Sequence, residues 1–122
     1  MPEAEIVAQT LVEFGSLPDL TIWRVNTGQY WAPTTTEQCP VCQNPKSWRR
    51  VRTTINGSAD ISGITSNGPG RRVEIELKHG KGRQRPDQIL FEEMIRRHGG
   101  TYVLGYSTDE VGTKLRAEGI IP

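Results

Sequence analysis

Seven consecutive residues near the middle of the chain, Arg72-Val73-Glu74-Ile75-Glu76-Leu77-Lys78, alternate without interruption between charged and apolar side chains. A two-residue period belongs to an extended strand, so Val73, Ile75 and Leu77 face one way while Glu74, Glu76 and Lys78 face the other. The apolar face must be covered, and the opposite face then carries two carboxylates and an amine on rigid backbone. A sheet containing this strand is the feature around which the rest of the chain has to fold.

The flanking sequence supplies the remaining elements. Residues 3–14 read as a helix, because Ile6, Val7, Thr10, Leu11 and Phe14 recur on one face before Gly15 and Pro18 end it. Thr21–Asn26 has the β-branched and aromatic content of a strand, with Asn26-Thr27-Gly28 as its exit. Residues 30–47 hold Pro33, Pro40, Pro45 and the pair Cys39/Cys42, and read as an irregular insertion. Arg49–Ile55 alternates weakly as a strand, Asn56-Gly57 is a turn signal, Ala59–Thr65 is a short strand, and Asn67-Gly68-Pro69-Gly70 is a turn. After a basic loop from His79 to Arg85, Pro86 opens a helix to about His98, which Gly99-Gly100 stops. Thr101–Tyr106 is a last strand, and Ser107 or Thr108 can cap a terminal helix through about Glu118. The expected order is α-β-β-β-α-β-α in one domain of 122 residues, a length whose core can fold unaided.

Net charge, at +1, argues against a nucleic-acid partner until it is divided along the chain. Residues 1–45 carry one basic and five acidic side chains, residues 46–85 ten and three, and residues 86–122 four and six. The central stretch can therefore supply phosphate contacts. No apolar run approaches the roughly 18 residues of a membrane span, and mean hydropathy is -0.53. The opening residues, Met1-Pro2-Glu3-Ala4-Glu5, lack the basic and then apolar order of a secretion signal. No membrane association and a cytoplasmic location are expected.

The acids of the basic stretch point to a reaction. Hydrolysis of a phosphodiester needs a metal to polarise the phosphoryl oxygen and bind water, and hard magnesium prefers carboxylate oxygens held by rigid elements. A hairpin across the turn at 67–70 can bring Asp60 to Glu76. Lys78 lies two residues past Glu76 on the same face, ~6.6 Å along the strand, where its ammonium can orient water or neutralise phosphate charge. By itself an acid, any residue and a lysine is a pattern that a solvent-facing strand produces by chance.

Read together, Gly57-Ser58-Ala59-Asp60-Ile61-Ser62-Gly63, Glu74-Ile75-Glu76-Leu77-Lys78, Gly80-Lys81-Gly82-Arg83 and Pro86-Asp87-Gln88 closely resemble the virus-type replication-repair nuclease (VRR-NUC) family of the PD-(D/E)XK superfamily. The resemblance runs from Glu3 through the final strand and helix. It implies a restriction-endonuclease-like α/β core, a central mixed sheet of four to five strands flanked by helices. It also implies metal ligation by Asp60, Glu76 and the backbone carbonyl of Leu77, catalysis by Lys78, and supporting roles for Gln88 and an early helical glutamate. At about 100° per residue Glu3 lies at the centre of the apolar face of its helix, whereas Glu5 points away, so Glu3 is the glutamate expected. Glu74 either approaches a second metal or the water, or pairs with Arg72.

Such a protein cuts DNA with Mg2+, for which Mn2+ can substitute. The family's stand-alone members, often encoded by phages, resemble homodimeric enzymes acting on branched, Holliday-junction-like DNA in phage or repair DNA processing; a phage-encoded copy would work in the host cytoplasm. Lys81, Arg83 and Arg85 are the first expected phosphate contacts, then Arg71 and Arg72, with Asn26 on the first strand's exit. Rival readings are a PD-(D/E)XK nuclease of another family acting on linear duplex, and a non-catalytic DNA-binding or assembly module using the Cys39/Cys42 turn. That Cys39-Pro-Val-Cys42 turn is half a zinc knuckle with no second cysteine pair. It leaves three readings: a zinc shared by two copies, a zinc completed by His79 or His98, or two free thiols. His79 should face away from the site and is a poor general base.

Overall fold

A computed structural model describes residues 2–25, 29–52, 54–66 and 69–122, with the backbone alone for Gln29, Tyr30 and Arg52. Asn26, the strand exit at 26–28 and the Asn67-Gly68 part of the expected turn lie outside the described residues. The elements run α1 (Glu3–Phe14), β1 (Leu20–Arg24), β2 (Gln29–Pro33), β3 (Trp48–Arg52), β4 (Ile61–Thr65), β5 (Arg72–Leu77), α2 (Pro86–Arg97), β6 (Thr101–Gly105) and α3 (Thr108–Ala117). They fall into two compact units, residues 1–25 with 56–122, and residues 26–55. Among the described residues no helix is long and apolar enough to cross a membrane.

The first unit is mixed α/β. Its four strands stand in the order β1-β4-β5-β6, antiparallel except for the parallel pair β5 and β6. Parallel neighbours need a long crossover, which α2 provides between them. The period of two in β5 is realised: Val73, Ile75 and Leu77 are wholly buried with Ile6, Val7 and Phe14 of α1 and Val111 and Leu115 of α3. On the opposite face Tyr102 of β6 packs with Phe91 and Ile95 of α2 and with Ala59. Its neighbour Val103 belongs to the first cluster, so the two clusters occupy the two faces of the sheet.

Local signals explain the helix ends. Pro86 opens α2, where its missing N–H costs nothing, and Ser107 rather than Thr108 caps α3, its Oγ accepting from the Glu110 N–H at 3.1 Å. Thr10, a polar residue on the buried face of α1, donates to the Ile6 carbonyl at 2.8 Å and meets the Thr108 hydroxyl at 3.1 Å.

The second unit departs from the sequence reading. Gln29–Pro33, placed largely in an irregular insertion, forms β2, which pairs antiparallel with β3 as a separate two-stranded sheet. Tyr30-Trp31 has strand propensity that the neighbouring prolines mask, and Pro33 stands at the strand's last position, where a missing donor is tolerated. Arg50 lies over the Trp31 ring at 5.6 Å, across from it in the register. Trp31 and Trp48 are both exposed.

Candidate active site

The register of β4 against β5 assembles the acids. Ile61 faces Ile75 and Ser62 faces Glu74, so one further step of the same antiparallel pairing sets Asp60 opposite Glu76. Asp60 stands just before β4 and is held there from two sides, its carbonyl accepting from the Val25 N–H at 2.9 Å and its Oδ2 from the Leu77 N–H at 2.8 Å. Glu3, at the first turn of α1, completes the group: one carboxylate oxygen each from Glu3, Asp60 and Glu76 lies within 4.8 Å of the others.

Three carboxylates this close are in electrostatic conflict. Burial, then the Asp60 charge, pushes the Glu76 carboxyl up to about 7, with Lys78 opposing and Glu3 adding to the rise. Burial also raises Asp60, against the Leu77 N–H and the charges of Lys78 and Arg24. Glu76 Oε2 is buried with no hydrogen-bond partner among the described residues. An orphaned carboxylate oxygen in an all-oxygen group of acids is a donor set suited to a hard divalent cation, which would relieve both the repulsion and the missing bond.

Beside the acids a single amide organises the remaining groups. Gln88, in the first turn of α2, donates from Nε2 to Glu76 Oε1 at 2.9 Å, while its Oε1 accepts from Lys78 Nζ at 3.0 Å and from the Arg85 N–H at 2.9 Å. The last bond is the reciprocal half of a helix capping box, so the fold that starts α2 also fixes the Gln88 rotamer. Lys78 Nζ reaches Glu76 Oε1 at 3.3 Å, and its side chain is only 10% exposed. Gln88, given a supporting role from the sequence, ties Lys78 to Glu76.

Glu74 takes the other course left open for it. Its carboxylate, fully buried, accepts from the Ser62 hydroxyl at 2.7 Å and pairs with Arg72 Nε, so both oxygens are satisfied within the chain. Arg72 is thereby engaged, Arg71 donates to the Glu118 carbonyl at 3.1 Å, and Arg85 pairs with Asp87 at 3.3 Å. Lys81 and Arg83 are exposed on the loop after β5 and make no ion pair among the described residues. His79, also exposed, contributes nothing to the acidic group. In the second unit Cys39 and Cys42 form no disulfide, and backbone N–H groups of Cys42 and Val41 hold the Cys39 thiol below its ordinary range.

Two contributors were not singled out from the sequence. Arg24 acts on Asp60 by charge alone. Gly57, read from the sequence as a turn residue at the head of the Asp60 motif, has φ +81° and sits so tightly under α2 that a Cβ would lie 2.2 Å from the Asp87 carbonyl oxygen and 2.8 Å from the Gln88 nitrogen. Gly57→Ala should therefore displace the first turn of α2, lowering stability by about 1–3 kcal/mol in urea unfolding. A conserved cleavage-independent control, circular dichroism, should still report the native helix content. An unchanged unfolding midpoint would remove Gly57 from the design of the site.

Compared with known proteins, the sequence matches no family model and no curated protein.

Proposed function

We propose that this protein is a magnesium-dependent deoxyribonuclease of the PD-(D/E)XK type, in the VRR-NUC family that its motifs resemble, with its α/β unit arranged as a restriction-endonuclease-like core. The observation that supports this reading is the meeting of Glu3, Asp60 and Glu76 in one group with the Lys78 ammonium fixed against Glu76. Asp60 and Glu76 would hold the ion, joined by the Leu77 carbonyl, with Glu3 beside them. When bound, magnesium supplies Lewis acidity to the scissile phosphate and makes water a nucleophile near neutral pH.

The side chains have separable tasks. An ammonium has three donors, and Lys78 uses two on Glu76 Oε1 and Gln88 Oε1, leaving one for the attacking water or a phosphate oxygen. Gln88 restrains both partners and so acts as a positioning residue. Asp60, held by the Leu77 N–H, keeps its second oxygen for the ion. Attack by water on the phosphorus would yield 5′-phosphate and 3′-hydroxyl ends, the products of this fold's nucleases. The substrate we propose is branched DNA resembling a Holliday junction, cut by a homodimer in the cytoplasm.

Side-by-side incubation of four-way junction, flap, single-stranded and linear duplex DNA with Mg2+, Mn2+ or chelator tests this directly. Cleavage that requires the divalent ion and favours the junction is the expected result. A protein that binds DNA yet cuts none of these with any divalent ion would be a binding module, and the nuclease reading would be abandoned.

Lys81 and Arg83, exposed and without an ion pair among the described residues, are the phosphate contacts of this reading. Replacing both with alanine should weaken DNA binding at low salt and reduce the slope of log K against log salt by about 2, close to one per lost contact. Arg72→Ala, which removes a cation already committed to Glu74, should leave that slope unchanged.

A further inference from the structure

The segment from Gln38 to Pro45 is built as a closed turn around two sulfurs. Gln38 bridges to Pro45, the Cys39 N–H donates to the Asn44 carbonyl at 2.8 Å, and the Gln43 N–H donates to the Cys39 carbonyl at 2.8 Å. Gln43 takes φ +63°, the one positive value at a non-glycine position among the described residues. A left-handed side-chain-bearing residue is costly, of order 1–3 kcal/mol, and persists where surrounding structure fixes it. Here it turns the chain immediately after Cys42.

Two cysteines separated by two residues on one closed turn offer a pair of sulfur donors, the ligand type that suits a soft or borderline metal. A structural zinc closes with four ligands. Within the unit formed by residues 26–55, the described residues add no third His, Cys, Asp or Glu to the pair, and Glu37 is turned to Lys46 at 3.7 Å. The turn thus offers two of the four ligands that a tetrahedral zinc requires. A twofold axis through the ion supplies the other half without any new ligand type, because an isologous contact presents the same surface twice. Val41, between the two cysteines, is 91% exposed, an apolar tip that such a contact would cover.

We propose that Cys39 and Cys42 from two copies of the chain bind one zinc ion, each thiol giving up its proton, and that this tetrathiolate centre joins the copies. The proposal stands apart from the nuclease reading, and its test does not use cleavage. Full-length protein purified with reductant and without chelator is analysed for zinc and for mass by sedimentation. One zinc per two chains in a dimer is expected. Chelation should yield monomers, and added Zn2+ but not Mg2+ should restore the dimer. Substituted Co2+ should give an intense thiolate charge-transfer band saturating at one ion per two chains. Cys39→Ser and Cys42→Ser should each lose both metal and dimer while retaining the wild-type circular dichroism. Protein without zinc under these conditions, one zinc held by a monomer, or a dimer that survives both chelation and Cys42→Ser would overturn the proposal; chelation and restoration on the unaltered chain keep the test decisive if a variant misfolds.

Discussion

Lys78→Ala is expected to lower magnesium-dependent DNA cleavage by about 10²–10³-fold, the usual cost of removing one preorganised donor from a phosphoryl or acyl transfer site. DNA affinity should change far less, because Lys78 is buried and the exposed cations of the neighbouring loop remain. A loss in kcat rather than KM is the signature of an interaction made chiefly in the transition state. Gln88→Ala should fall short of this, by about 10–100-fold, since Gln88 works by holding Lys78 against Glu76. Its effect should also differ in kind: with the amide gone, Lys78 is held by Glu76 alone, so the pH profile of cleavage should shift. Single-turnover cleavage of a labelled junction checks both variants, and a Lys78→Ala protein that cuts as fast as the wild type would remove the amine from the reaction.

Two glutamates on one face of the same strand should answer mutation with opposite signs. Glu74 has a guanidinium on one oxygen and a hydroxyl on the other, so Glu74→Ala strands Arg72 and Ser62 and should cost about 3 kcal/mol, the lower end for breaking a buried pair because Arg72 is half exposed. Glu76 is the reverse case. Its folded carboxyl titrates at about 7 against 4.5 for the ordinary group, so the folded protein holds this proton more tightly than the unfolded chain does. Metal-free stability then falls as pH rises from about 4.5 to about 7 and levels off above, by on the order of 3 kcal/mol for this group. The burial of Asp60 acts in the same direction. Glu76→Gln should consequently stabilise the metal-free protein at pH 8 while abolishing cleavage. Magnesium should offset most of this fall, since it binds the ionised acids of the folded state, adding about 2.7 kcal/mol at a hundred times its Kd. Thermal unfolding at pH 5 and pH 8, with magnesium or chelator, measures all of this; identical pH slopes for wild type and Glu76→Gln would contradict it.

The chain's architecture was readable where one residue pattern decided one element. The alternation of Arg72 to Lys78 fixed β5 and its faces, and Pro86 and Gly99 bounded α2 to within a residue or two. Glu3 could be chosen over Glu5 from helical geometry alone, and Glu3 is the one that joins Asp60 and Glu76. The hairpin that brings Asp60 to Glu76 was expected, but its exact register was not. The step that puts Asp60 opposite Glu76 depends on hairpin register, which a shift of one residue would have changed. Ser62 as the partner of Glu74 follows from that same register. A strand was expected near β3, but β2 and its pairing with β3 escaped because the propensity of β2 lies in five residues ending at Pro33 and followed by Pro40 and Pro45, and because the hairpin's stability comes from cross-strand pairs such as Trp31 with Arg50. Gln88 could be expected near the site, but its role as a clamp required the Arg85 N–H and Lys78 to be seen on the same oxygen.

Crystals grown with Mn2+ in place of Mg2+ and measured for anomalous scattering would test the metal centre most directly. The expected map has a peak bonded to the carboxylates of Asp60 and Glu76, at about 2.0–2.2 Å as for small hard divalent ions, and no such peak in Asp60→Asn. A site left without manganese at millimolar concentration, with Asp60 and Glu76 still adjacent, would contradict the claim that these acids are gathered to hold a catalytic ion.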